Sequence, residues 1–324
     1  MIPPSVSANR GRHWAHINES SFVAGMRLLF WICRHIGRWP FRMVLYPVLL
    51  WYIIANPRAR AASTDYLRRV AQTGSASRIK PGKVMVLRHF AAFGESILDK
   101  MLLWSGLFNT DRVEFHGQEQ VRAEIVARRG ALLVCSHLGN LDLCRVLAKR
   151  LAGFKMTLLI HTKHAQTFNR MLAELDPDSQ THVMQVTEVS AATAVLLAEK
   201  IAQGEWVAIV ADRIPVAPKP RVAFAPFLGA LAPFPVGPYI LASLLQCPTY
   251  LLFSMRTGRG SEIHFELFRE SIRLPRQGRA DALAGLVAEY AGRLEHFCLR
   301  APLQWFNFYD FWRLPAREIS DATR

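Results

Sequence analysis

The stretch Ala131-Leu132-Leu133-Val134-Cys135-Ser136-His137-Leu138-Gly139-Asn140-Leu141-Asp142 decides how this chain of 324 residues is read. A short apolar run, Ala131 to Val134, leads to a histidine. The chain then turns on Gly139-Asn140 and enters an apolar, helix-like pattern that carries Asp142. Strand, tight turn and helix start are the parts of a layered α/β protein. A histidine with a carboxylate five positions later across such a turn reads as an imidazole–carboxylate pair, the minimum needed to take a proton from a hydroxyl. An aspartate in a first helical turn is stabilised by the helix dipole whatever else it does, so the motif gains its weight from context rather than spacing. The same helix start offers free backbone N–H groups, at Gly139 and Asn140, where an oxyanion can be held.

Outward from this unit the pattern repeats. Strands are expected at 131–136, 155–160, 182–186, 206–211, 248–254 and 262–268. Helices are expected at 89–107, 117–128, 140–152, 164–175, 189–203, 235–246 and 279–299. Such alternation predicts an α/β fold with a mixed, mostly parallel central sheet flanked by helices. Functional residues then belong at the carboxyl ends of strands, where His137 and Asp212 both fall.

Charge divides the chain. The net formal charge is +15, and residues 1 to 80 hold twelve Lys/Arg against Glu19 and Asp65, a surplus of ten. Mean hydropathy is +0.12, below that of a polytopic membrane protein. Arg27, Arg34 and Arg38 share one helical stripe, with Phe22, Met26, Phe30, Trp31 and Ile36 around it, which suits a helix lying among lipid headgroups. Met43 to Ala55 is apolar but only thirteen residues long, short of the ~20 of a straight span. It reads as a re-entrant, kinked or interfacial element, with a tilted span from Trp39 or a buried core helix as alternatives. No cleavable signal is expected. The chain thus reads as a basic membrane-associating helical segment, 1–80, followed by an α/β domain, 81–324. The five cysteines show no paired or ligand-like spacing, so neither a structural metal nor a disulfide framework is indicated.

Other candidates cluster at predicted strand ends. Asp212 and Arg213 are substrate-binding candidates, the planar guanidinium of Arg213 being suited to a phosphate. Lys163 and His164, after the strand at 155–160, belong to the same mouth as substrate-binding candidates. Phe227, Gly229, Pro235 and Gly237 read as a loop wall shaped by Gly and Pro. His89, Glu95, Asp99 and the aromatic run from Trp305 to Trp312 read as structural or interfacial.

Taken together these blocks resemble the glycerolipid and lipid A acyltransferase superfamily. Ser136-His137-Leu138-Gly139-Asn140-Leu141-Asp142 is similar to its H-x-x-x-x-D/E block, and Val210-Ala211-Asp212-Arg213-Ile214-Pro215 to its second charged block. Pro226-Phe227-Leu228-Gly229 with Ala232-Pro233-Phe234-Pro235-Val236-Gly237-Pro238 is similar to the third. Ala301-Pro302-Leu303-Gln304-Trp305 resembles the P-x-Q-W segment of lauroyl and myristoyl acyltransferases of lipid A biosynthesis. This chain carries Asp142 where those enzymes usually carry Glu, as in a divergent bacterial branch. The resemblance implies a fatty acyl group moved from an acyl carrier protein or coenzyme A thioester to a hydroxyl of a lipid A-like glycolipid. It also implies no cofactor beyond that co-substrate, and work at the cytoplasmic face of the bacterial inner membrane. His137 is then the general base and Asp142 its partner.

Three other readings stay open. A lysophospholipid acceptor is the alternative within the class. A non-catalytic lipid-binding protein of the same fold predicts that His137 is dispensable. A nucleic-acid-binding protein rests on the net charge alone, and is opposed by arginines set among Phe, Trp and Leu without a recognisable binding module.

Overall fold

A computed structural model describes residues 31–32, 35–74, 80–144, 154–160, 181–185, 191–214, 220–258 and 260–313. Bounded helices among the described residues begin with α1 (Arg38–Ala55), α2 (Pro57–Thr73) and α3 (Lys83–Trp104). Strand β1 (Val113–His116), α4 (Gln118–Val126), β2 (Leu132–Cys135), β3 (Met156–Ile160), β4 (Thr181–Gln185), α5 (Ala191–Ala202) and β5 (Trp206–Val210) follow. The last third holds β6 (Val222–Phe227), β7 (Ala230–Pro235), α6 (Gly237–Leu245), β8 (Thr249–Arg256), β9 (Ser261–Arg269) and α7 (Arg279–Arg300).

Among the described residues seven strands form one sheet in the order β1-β9-β8-β2-β5-β3-β4, in which β8 and β9 pair antiparallel and the other neighbours are parallel. The expected mixed, mostly parallel sheet flanked by helices is what forms. β2 shows why: each of its four residues is buried, as a central parallel strand covered on both faces requires. Leu133, Cys135, Trp206, Tyr250 and Ile263 form the core on one side of the sheet with Val121 of α4. α7 covers the other, presenting Leu283, Val287, Tyr290, Leu294 and Phe297 at helical spacing. Its Tyr290 hydroxyl donates to the Cys135 carbonyl at 2.8 Å, tying the helix to the end of β2.

The structure departs from expectation in two places. β1 was not among the expected strands. Where a helix is expected at 140–152, the described residues show a 3-10 turn, Leu141–Leu143, from which Cys144 passes into helical conformation; residues 145–153, and the helix expected at 164–175, lie outside the described residues. Phe227, Gly229 and Pro235, read as part of a loop wall, fall in the antiparallel β6–β7 ribbon of residues 222–235. Its prolines argue against a central strand, yet in a two-stranded ribbon each strand has a free edge that tolerates them. Leu228 and Gly229, with φ of 48° and 77°, make the left-handed turn that joins the two strands.

At the front, Asn56 precedes Pro57, whose fixed φ suits a first helical position. The chain divides into two compact units, Met1–Pro47 and Val48–Arg324, so α2 lies in the larger unit although it precedes residue 80. Within α1, Val48, Leu50, Trp51 and Ile54 of the larger unit are exposed. Among the described residues no helix is long and apolar enough to cross a membrane.

Candidate active site

β2 and β5 are parallel neighbours with Cys135 opposite Val210. His137 lies two residues past the first and Asp212 two past the second, so sheet register alone brings them together. His137 Nδ1 is 2.7 Å from Asp212 Oδ1, and the backbone N–H of His137 donates to Asp212 Oδ2 at 2.7 Å. A third donor, the Trp305 indole N–H, reaches Oδ2 at 2.8 Å. A carboxylate in such company is an acceptor only, so Nδ1 carries the imidazole proton and the lone pair sits on Nε2. Asp212 is 1% exposed and His137 31%: the orienting acid is enclosed while the base keeps an open side.

Burial alone would raise the Asp212 carboxyl. The His137 charge, its ring and backbone hydrogen bonds, and Arg213 together outweigh that, and hold the group below its ordinary value. Burial pushes the His137 imidazole below its ordinary value; Asp212 pulls the other way, and Arg213 and Lys100 add to the depression. The ring is therefore neutral at neutral pH, as a base must be.

The partner of Nδ1 is thus Asp212 and not Asp142, which corrects the pairing read from spacing. The turn aims Asp142 at α3, where its Oδ2 lies 2.9 Å from Lys100 Nζ. Asn140 starts that turn, its Oδ1 accepting from the Asp142 N–H at 3.1 Å. Its own amide nitrogen is buried and without a hydrogen-bond partner among the described residues. Gly139 is a different case from the one expected. Its N–H is already used, donating to the Gln304 carbonyl at 2.8 Å. With φ of 65° and a Cβ that would stand 2.2 Å from the Ser254 carbonyl oxygen, the position admits only glycine. Ser136 does not supply a nucleophile: it is fully buried, and its Oγ accepts from the Leu138 N–H at 3.3 Å.

Residues 304–306 are laid antiparallel along 137–139. Leu138 bridges Trp305, and the Phe306 N–H donates to the His137 carbonyl at 3.0 Å. Arg213 is exposed, and its Nη2 donates to the Phe306 carbonyl at 2.9 Å, which sets the guanidinium beside the histidine loop. Lys163 and His164 lie outside the described residues. Phe227 is enclosed at 0% exposure, its ring edge-on to Trp305 at 5.2 Å. Its ring packs behind Trp305, while Pro235 closes β7 and Gly237 opens α6.

Among the described residues one grouping has metal-like spacing: His116, Glu262 and His264 on β1 and β9. The two imidazoles stack 4.3 Å apart at 10°, so their in-plane lone pairs run parallel instead of converging. Arg300 Nη2 already occupies Glu262 Oε2 at 3.0 Å. This cluster reads as a salt-bridged sheet face.

Residues 83–314 match the family described as bacterial lipid A biosynthesis acyltransferase, which covers well over half of the chain. The chain belongs to that family. No curated protein matches it. Membership makes it a lipid acyltransferase, and the histidine loop, Asp212 and the 304–306 segment all fall within the matched residues of this acyltransferase. Sequence reasoning placed Asp212 at the site as a substrate ligand and left Trp305 among the packing aromatics. The signal for the first was its position, two residues past a strand just as His137 is. For the second it was its place in the Pro302-Leu303-Gln304-Trp305 block.

Proposed function

We propose that this acyltransferase moves a fatty acyl group from an acyl carrier protein or coenzyme A thioester to a hydroxyl of a lipid A-like glycolipid. The observation that carries the reading is the 2.7 Å contact between His137 Nδ1 and the enclosed Asp212, with the ring still partly open to solvent. In this scheme His137 Nε2 takes the proton of the acceptor hydroxyl as its oxygen bonds to the thioester carbon. The carbonyl becomes an oxyanion, then re-forms as the C–S bond breaks, and the departing thiolate takes the proton back from the imidazolium. A thioester is already activated, so no covalent enzyme intermediate is needed. Asp212 holds the tautomer and offsets the imidazolium charge, the part an acid plays in hydrolase triads. The Arg213 guanidinium is the group we assign to an acceptor phosphate. We place the work at the cytoplasmic face of the inner membrane, with the basic, aromatic front of the chain against anionic lipid.

Asp142, in place of the usual Glu, favours a second reading, a lysophospholipid acceptor. Purified protein incubated with each acceptor and an acyl donor, followed by mass spectrometry, tests both. The expected product is heavier than the acceptor by one acyl group and is absent with His137→Ala. Product formation by a folded His137→Ala variant would remove the base from the scheme.

A further inference from the structure

Trp305 is fully buried and bound through both of its polar ends. Its indole N–H donates to Asp212 Oδ2 at 2.8 Å, and its carbonyl lies 2.9 Å from His89 Nε2. A carbonyl can only accept, so His89 carries its proton on Nε2, and its Nδ1 accepts from the Ser63 hydroxyl at 2.9 Å. His89 is itself 0% exposed, and burial lowers its pKa to about 4, which keeps this link neutral at neutral pH. The indole is also gripped sideways. Phe311 lies 5.0 Å away, Tyr66 5.1 Å and Phe227 5.2 Å, centroid to centroid. The backbone of the segment is pinned on either side by the Gly139–Gln304 and Phe306–His137 hydrogen bonds.

These contacts divide the two oxygens of Asp212. Oδ2 takes the His137 backbone N–H and the indole N–H, which leaves Oδ1 for the imidazole. We propose that Trp305 is a positioning residue for acyl transfer: its indole N–H fixes the rotation of the Asp212 carboxylate, and His89, by holding the Trp305 carbonyl, fixes the indole. The inference rests on the base role proposed for His137. Without the N–H, Oδ2 keeps one donor. The carboxylate then aims the ring less firmly, and concentrates more negative charge on it. The first effect slows the chemical step. The second makes the imidazole easier to protonate, which moves the acid limb of the pH–rate profile upward. An indole with no exposed surface touches no substrate, so the Michaelis constant is spared.

Trp305→Phe deletes the donor and keeps an aromatic ring. Losing one hydrogen bond to a charged group is worth roughly ten- to a hundredfold in rate. The expected variant therefore has kcat down by about that factor, KM within about twofold of wild type, and an acid limb displaced to higher pH. A folded Trp305→Phe whose acid limb stays where it was overturns the proposal, whether or not its rate falls, since a lower rate alone is what loosened packing would give. His137→Ala separates the two levels: if it is inactive while Trp305→Phe behaves as wild type, only the positioning role is lost, and if it is active the base role goes too. A second measurement needs no Trp305 variant. In ¹⁵N–¹H spectra of the unaltered protein, one buried indole resonance should follow the protonation of His137, and cease to do so in His137→Ala. If no indole resonance follows it, the proposal is overturned.

Discussion

Replacing Asp212 by Asn exchanges a carboxylate for an amide with one accepting oxygen, while three donors still point at the position. The amide NH₂ must then face at least one of them, and the imidazole is pushed to the tautomer that carries its proton on Nε2. A base so reversed is no base. We expect kcat to fall by about 10⁴-fold, with KM little changed, in steady-state rates; a loss under tenfold would show that another group orients the ring. Asp142 calls for a different experiment, because its carboxylate meets Lys100. If it acts through that pair, Asp142→Asn combined with Lys100→Met should be no slower than the worse single variant. Additive losses would give Asp142 a task of its own at the histidine. The direction of the His137 shift gives a further expectation. A depressed imidazole stays neutral as pH falls through 6.5, so kcat/KM should hold there and decline only below it. An acid limb centred above 6.5 would contradict the assignment.

At the scale of elements, the join between α2 and α3 is a buried hydrogen-bonded histidine, and that has a cost in acid. His89 is neutral in the folded chain down to about pH 4, whereas an unfolded chain binds its proton near 6.5. The contribution is intact above 6.5 and is lost as pH falls from there toward 4, up to roughly 3 kcal/mol. Melting temperature should drop over that window in wild type and drop less in His89→Gln, by calorimetry at matched ionic strength. The elements themselves were unequally legible. β2 and β5 announce themselves as short, wholly apolar runs, because a strand buried on both faces has no polar side to show. β6 and β7 do not, since Pro226, Pro233 and Pro235 carry the signature of a loop and only the ribbon's free edges excuse them. The helix start after Gly139 was visible, but not that its first turn, Leu141–Leu143, is 3-10. The contact of His137 with residue 212 rather than 142 depends on which strands are neighbours, and strand order is a long-range property that local spacing does not carry.

For the molecule as a whole the question is where its charge and its exposed apolar side chains meet. The surplus of ten positive charges lies in residues 1 to 80. Trp51 and Ile54, at 70% and 65% exposure, stand on α1 in that same stretch. We expect binding to vesicles of anionic phospholipid that weakens between about 0.15 and 1 M salt, as the screening length falls from about 8 to about 3 Å. Trp51→Ser with Ile54→Ser should reduce the part that salt does not remove, measured by vesicle sedimentation. Equal binding to neutral and anionic vesicles at every salt concentration would leave the charge without this role.

The crossing of residues 304–306 over the histidine loop also concerns biosynthesis. On a translating ribosome, β2 and β5 emerge long before Trp305 does. A nascent chain can close its sheet and bring histidine and aspartate side by side while the indole that steadies them is still inside the exit tunnel. Histidine and aspartate can therefore pair before the residue that steadies them has left the ribosome.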